Sequence, residues 1–123
     1  MSSSVLQVVD ANDVTQNICV ASPDTPTDRS GTYNGATQIV LDTVPAGFQR
    51  GAWMFQNRSR SGTTVQINEI GGDADASPTC FDVPPGGVFP PPGYPVTQAQ
   101  VSVIGVNGEQ FACREWLVPI END

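Results

Sequence analysis

The amino-acid sequence predicts an all-β fold: an antiparallel β-sandwich or small barrel of about eight short strands with an extended arm and long loops. Three observations predict it. No window sustains a helical apolar period, whereas several short runs alternate with period two. The 12 glycines and 11 prolines are spread between those runs, where the turns of a many-stranded protein belong. The runs themselves recur at intervals of roughly 8–12 residues.

The first run, Val5 to Val9, is apolar and β-branched, and Asp10-Ala11-Asn12-Asp13 supplies turn chemistry after it. From Val14 to Val20 the residues Val14, Gln16, Ile18 and Val20 share one face, and Thr15, Asn17 and Cys19 the other. Ala21 to Gly35 is almost free of large apolar side chains and reads as a long exposed loop or arm, a kind of segment that often carries contacts. Strand character resumes from Thr37 to Leu41 and closes at Val44-Pro45-Ala46-Gly47. Gly51 to Gln56 and Val65 to Ile70 are strands flanking a polar hairpin loop, Asn57 to Gly62. Gly71 to Pro78 reads as a flexible loop, and Cys80 to Val83 as a short strand.

The stretch Pro84 to Pro95 cannot be a central strand or a helix, because proline removes backbone donors and fixes φ. It reads as a stiff, partly polyproline-like crossover carrying Phe89 and Tyr94. Two last runs, Val101 to Gly105 and Gln110 to Leu117, flank Val106-Asn107-Gly108-Glu109, and Asn-Gly between alternating runs signals a hairpin. In the final run Phe111, Cys113 and Glu115 lie opposite Ala112, Arg114 and Trp116. The 123 residues suit one domain, with 1–35 as an N-terminal arm and long loop and 36–123 as the sandwich core.

Residue types exclude much chemistry. With no histidine, imidazole bases, imidazole metal ligands and serine–histidine pairs are absent. All five cations are arginines, so Schiff-base lysines and a P-loop lysine are absent too. A net charge of −8 disfavours nucleic acid and anionic membranes and suits docking on a basic protein surface. Cys19, Cys80 and Cys113 are odd in number and too far apart for zinc pairs; free buried thiols are expected, and one disulfide stays open as an alternative. Met1-Ser2-Ser3-Ser4-Val5 lacks the basic and apolar regions of a signal peptide, so synthesis in a reducing cytosol is expected.

Among the acids, Glu69, Glu109 and Glu115 sit in or beside strands, where a glycosidase pair could be built; solvated edge and turn charges are the expectation. Asp73-x-Asp75 matches part of a calcium-loop spacing, but the other ligands are missing and no cofactor or metal is expected. Trp53 and Trp116 lie in apolar strands and read as core. Arg58 and Arg60 form a loop tip that could anchor an acidic partner through bidentate contacts. Phe89 and Tyr94 are harder to bury in regular structure, which makes them interface candidates alongside the two arginines.

From about Gly51 to Glu115 the chain resembles small structural proteins of tailed bacteriophage particles. The order that carries the resemblance is Trp53-Met54-Phe55-Gln56-Asn57, Asn68-Glu69 leading into Gly71-Gly72-Asp73-Ala74, Pro84-Pro85-Gly86-Gly87, and Val101-Ser102-Val103-Ile104-Gly105. The resemblance implies a β-sandwich module of the virion without enzymatic activity, of the head decoration or cement type. It would stabilise the phage head on the capsid surface by contacts with the major capsid protein or other virion proteins, as a homo-oligomer such as a dimer or trimer. The alternative it leaves open is a small tail, adaptor or fibre protein binding a host receptor or carbohydrate.

Overall fold

The computed structural model describes residues 26–120 and, before them, strands β1 (Val5–Val9) and β2 (Thr15–Cys19). β1 and β2 pair antiparallel with Val5 opposite Cys19 and Val9 opposite Thr15. The faces expected for Val14 to Val20, and residues 21–25 of the expected loop, lie outside the described residues.

Nine further strands form two antiparallel sheets, and no helix occurs among the described residues. One sheet has the order β5 (Gln38–Leu41), β10 (Val101–Ile104), β7 (Val65–Asn68), β8 (Phe81–Val83). In the other, β11 (Gln110–Pro119) lies beside β6 (Phe48–Asn57) and β6 beside β9 (Val88–Phe89). Two short strands, β3 (Thr27–Asp28) and β4 (Gly31–Thr32), share the far edge of β11. The architecture is a sandwich, not a closed barrel, so of the two expected forms the first is realised.

Period-two alternation builds the core. Val65 and Ile67 of β7, Val101 and Val103 of β10, Phe55 of β6, and Phe111 and Cys113 of β11 all point between the sheets. Tyr33 meets Phe111 at a tilt with ring centroids 5.1 Å apart, and Phe55 stacks on Phe111 at 5.7 Å. Tyr33 is 1% exposed, so the polar stretch expected to be an exposed loop feeds a core aromatic and two edge strands. The core thus begins before residue 36. A lone aromatic among polar residues gives no period to read, which is why the segment resembles a free loop.

Both expected hairpins are corrected. β6 and β7 lie in different sheets, and so do β10 and β11, so Asn57–Gly62 and Val106–Glu109 are corners between layers. The turn chemistry is present: Gly108 has φ +91° and the Glu109 N–H donates to Val106 O at 3.1 Å. Yet this turn pairs with Tyr33, whose N–H donates to Glu109 O and whose carbonyl accepts from Gly108 N–H. Gly105 permits the crossing, since a Cβ there would come within 2.6 Å of the Tyr33 ring. Within the two larger sheets, β7 and β8 are the pair that folds back as neighbours in sequence and in one sheet.

The 71–78 loop, expected to be flexible, is tied down over the outer face of the four-stranded sheet. Ser102 Oγ donates to Gly72 O and accepts from Ala74 N–H at 2.8 Å, while Asn68 Oδ1 accepts from the N–H groups of Ile70 and Gly72. Ala74 is fully buried beneath it. The proline segment, expected to stay outside regular structure, contributes β9 to the edge of the other sheet, opposite Phe55 and Gln56. An edge strand of two residues followed directly by Pro90 offers little to an incoming strand.

Candidate interaction surface

The polar groups that most resemble a site turn inward and hold the layers together. Within β6 the alternation breaks between Arg50 and Trp53, both of which face the core. Ladder pairs Ala52–Trp116 and Arg50–Leu117 leave Gly51 as the extra residue of a bulge, which turns Arg50 inward. Its guanidinium is fully buried. Nε donates to Glu115 Oε1 at 3.0 Å, Nη1 to the carbonyls of Thr97 and Ala99, and Nη2 to Asp42 O. Gln98 completes the joint: its Oε1 accepts from Arg50 N–H at 2.6 Å and its Nε2 donates back to Arg50 O. Arg29 holds the second oxygen, Glu115 Oε2, at 2.9 Å.

The three glutamates considered for catalysis therefore have separate duties. Glu115 is buried between two arginines. Glu69 is also buried, its Oε2 accepting from the Tyr94 hydroxyl at 3.1 Å. Glu109 accepts at Oε1 from the N–H groups of Ser61 and Arg60 and from Ser59 Oγ, and these donors hold its carboxyl below the usual range. Two of the three are buried rather than solvated, because each found a partner that the spacing does not reveal. Among the described residues no group of three acidic, cysteine or histidine side chains could hold a metal.

Arg58 and Arg60 are exposed, on a loop ordered by Glu109 from one side and Asn57 from the other. Phe89 is 7% exposed, packed against Trp53, Phe81 and Tyr94 at 5.7, 5.3 and 5.4 Å. Its ring fills the core of its own domain, so the expected placement at a surface is corrected. β9 pairing with Phe55 turns it inward. Tyr94 is half-buried, with its hydroxyl on Glu69. Trp53 is core as expected, whereas Trp116 is half-buried on the outer side of β11.

Among the described residues, the outer face of the five-stranded sheet carries an open apolar groove. Met54 is 51% and Val88 49% exposed there, and with Gln56, Ala112 and Arg114 they line a shallow apolar groove. Arg58, Gln110 and Thr32 continue it towards Arg114, whose Nη1 donates to Asp28 Oδ1 at 3.0 Å and to Ser30 Oγ. The outward alternation of Ala112, Arg114 and Trp116 was readable in the sequence. Its meeting with Met54 and Val88 requires the β11–β6–β9 order, which was not.

Of the two cysteines described, both are free: Cys113 is buried and Cys80 half-buried. Burial, with the Glu115 charge adding to it, pushes the Cys113 thiol up to about 12. Iodoacetamide at about pH 8 is expected to spare Cys113 in the native protein and to alkylate it in denaturant. Peptide mass spectrometry reads the site, and native labelling of Cys113 comparable to that of Cys80 would contradict the burial.

Comparison with protein-family models, curated proteins and solved structures finds no match to this chain.

Proposed function

We propose that this domain is a structural protein of a tailed-bacteriophage particle, a head decoration or cement protein acting through protein–protein contacts. The observation that carries the contact reading is the outer face of the five-stranded sheet. Met54 and Val88 stay about half exposed there beside Arg58 and Arg114. Half-exposed apolar side chains in a continuous groove, with arginines at its margin, are what a protein-binding surface offers. The virion reading is supported by the order of strands and turns from Gly51 to Glu115, with its partners the major capsid protein or other virion proteins.

Such a protein works mechanically. It buries area against adjacent capsid subunits at many symmetry-related positions, so a modest energy per contact is multiplied over the shell. Arg50, neutralised by Glu115 within its own sheet, bonds the carbonyls of Asp42, Thr97 and Ala99 beside the opposite sheet, a joint through which load can pass between the layers. Quantitative mass spectrometry of purified particles tests the proposal. Decoration requires on the order of hundreds of copies per particle, whereas about six or twelve would move the protein to a tail position. Absence from the particle would overturn the virion reading altogether.

A further inference from the structure

The exposed cations gather on one layer, where one exposed carboxylate, Asp28 of β3, pairs with Arg114. Every arginine belongs to the five-stranded sheet or to loops at its ends: Arg29 between β3 and β4, Arg50 in β6, Arg58 and Arg60 just after it, Arg114 in β11. Arg50 is buried; the other four are exposed, and Arg58 and Arg114 line one groove. The four-stranded sheet and its 69–80 loop contain no arginine, and the chain has no lysine. On that sheet's outer side stand Asp73 and Asp75, on the loop pinned by Ser102, and Asp82, bonded across β8 to Gln66. All three are exposed, and among the described residues the bonds to Asp75 and Asp82 go to Oδ1.

We propose that a second copy of this chain covers the five-stranded face. The Asp73, Asp75 and Asp82 surface of one copy docks on the Arg58–Arg114 groove and the Met54–Val88 strip of the next. Charge complementarity selects the occupant: the groove holds Arg58 and Arg114 against the one carboxylate of Asp28, on a chain of net charge −8, and the opposite layer presents carboxylates with no arginine among them. Carboxylate and guanidinium can then meet in bidentate pairs while the apolar strip leaves water. The two surfaces lie on opposite layers, so the contact is heterologous. It does not close as a two-fold pair and propagates into a ring or a stack. The inference rests on this charge division and holds whether or not the domain belongs to a virion.

Sedimentation velocity on the full chain tests it. At about 0.5 mM protein and ~20 mM salt, species larger than a dimer are expected, with the association weakened about tenfold or more at ~300 mM salt. The variants R58E/R114E and D73R/D75R/D82R are each expected to be monomeric, with the circular dichroism of the folded parent and a melting point lowered only by the loss of exposed bonds such as Arg114–Asp28. Mixed in equal amounts they are expected to reassemble, because each now offers the charge that the other lacks. A parent chain that stays monomeric at low salt, assemblies that ignore both variants, or variants that remain monomeric when mixed would each overturn the proposal. A monomeric parent would leave the groove to an unrelated acidic partner. Particle copy number is read separately, so failure here and failure of the virion reading are distinguishable.

Discussion

Replacing Glu115 by leucine is expected to lower the unfolding free energy by about 3–5 kcal/mol, as removal of one partner from a buried ion pair does. Arg50 is fully enclosed, and Glu115 Oε1, at 3.0 Å, supplies its counter-charge. Its other bonds go to the carbonyls of Thr97, Ala99 and Asp42, which cannot neutralise it. Without the carboxylate the sandwich must bury a bare cation or open to hydrate it. Either way the joint between β6 and the opposite sheet loosens. Arg29 loses its partner as well, but its side chain is 42% exposed and water replaces the contact. The double variant R50M/E115L is expected to be less unstable than the sum of the two single losses, because the second change removes the orphaned charge. Its remaining cost comes from the carbonyls that Arg50 had satisfied. Urea denaturation of the four proteins reads the cycle. A loss below about 1 kcal/mol for E115L would show that the pair is not desolvated as described.

Eight runs of the sequence are strands in the fold, because alternation and turn residues are local signals and survive without tertiary information. Sheet membership is not local. Asn107-Gly108 reverses the chain whether the next strand joins the same layer or the facing one. The deciding contact is Tyr33 on Gly105, contributed from more than seventy positions upstream. β3, β4 and β9 have two residues each, too few for a period to show. Arg50 points inward only because Gly51 is an extra residue in the ladder, and an arginine with flanking Gln49 and Gly51 otherwise reads as a surface strand end. The candidate surface was half legible: Arg58 and Arg60 as exposed cations, but not Met54, Val88 and Arg114 as one face. Phe89 was misplaced for a related reason, since proline neighbours argue against regular structure while still allowing one edge pairing.

These corrections change what the interface has to work with. The aromatic and acidic groups that looked available, Phe89, Glu69 and Glu115, are committed to the interior. Among the groups that stay outside are the arginines gathered on one layer and the half-exposed strip of Met54 and Val88 beside them. The same interior commitments give the module rigidity, so contacts formed on one face need not order it first.

Asn57→Ala is expected to cost about 3–4 kcal/mol, from lost hydrogen bonds and from polar groups left buried without partners. Asn57 sits at the corner where β6 leaves its sheet, fully buried, with its amide fully used. Oδ1 accepts from the Tyr33 hydroxyl at 3.0 Å and from Ser59 N–H at 3.1 Å; Nδ2 donates to the carbonyls of Thr63 and Val83, each at 3.0 Å. Those partners come from the segment before β5, the corner loop and the end of β8, so one amide fastens three pieces of chain to β6. Alanine would take this partner from the Tyr33 hydroxyl, the Ser59 N–H and two carbonyls. Tyr33→Phe removes one donor and leaves the rest of the amide engaged, so a loss of about 1 kcal/mol is expected. Asn57→Asp is expected to be at least as damaging as alanine, because a carboxylate oxygen would face carbonyls where two N–H donors belong. In N57A/Y33F the orphaned hydroxyl is gone, and the double loss should fall short of the sum of the singles. Strict additivity in urea denaturation would mean that Tyr33 and Asn57 do not share the bond drawn between them.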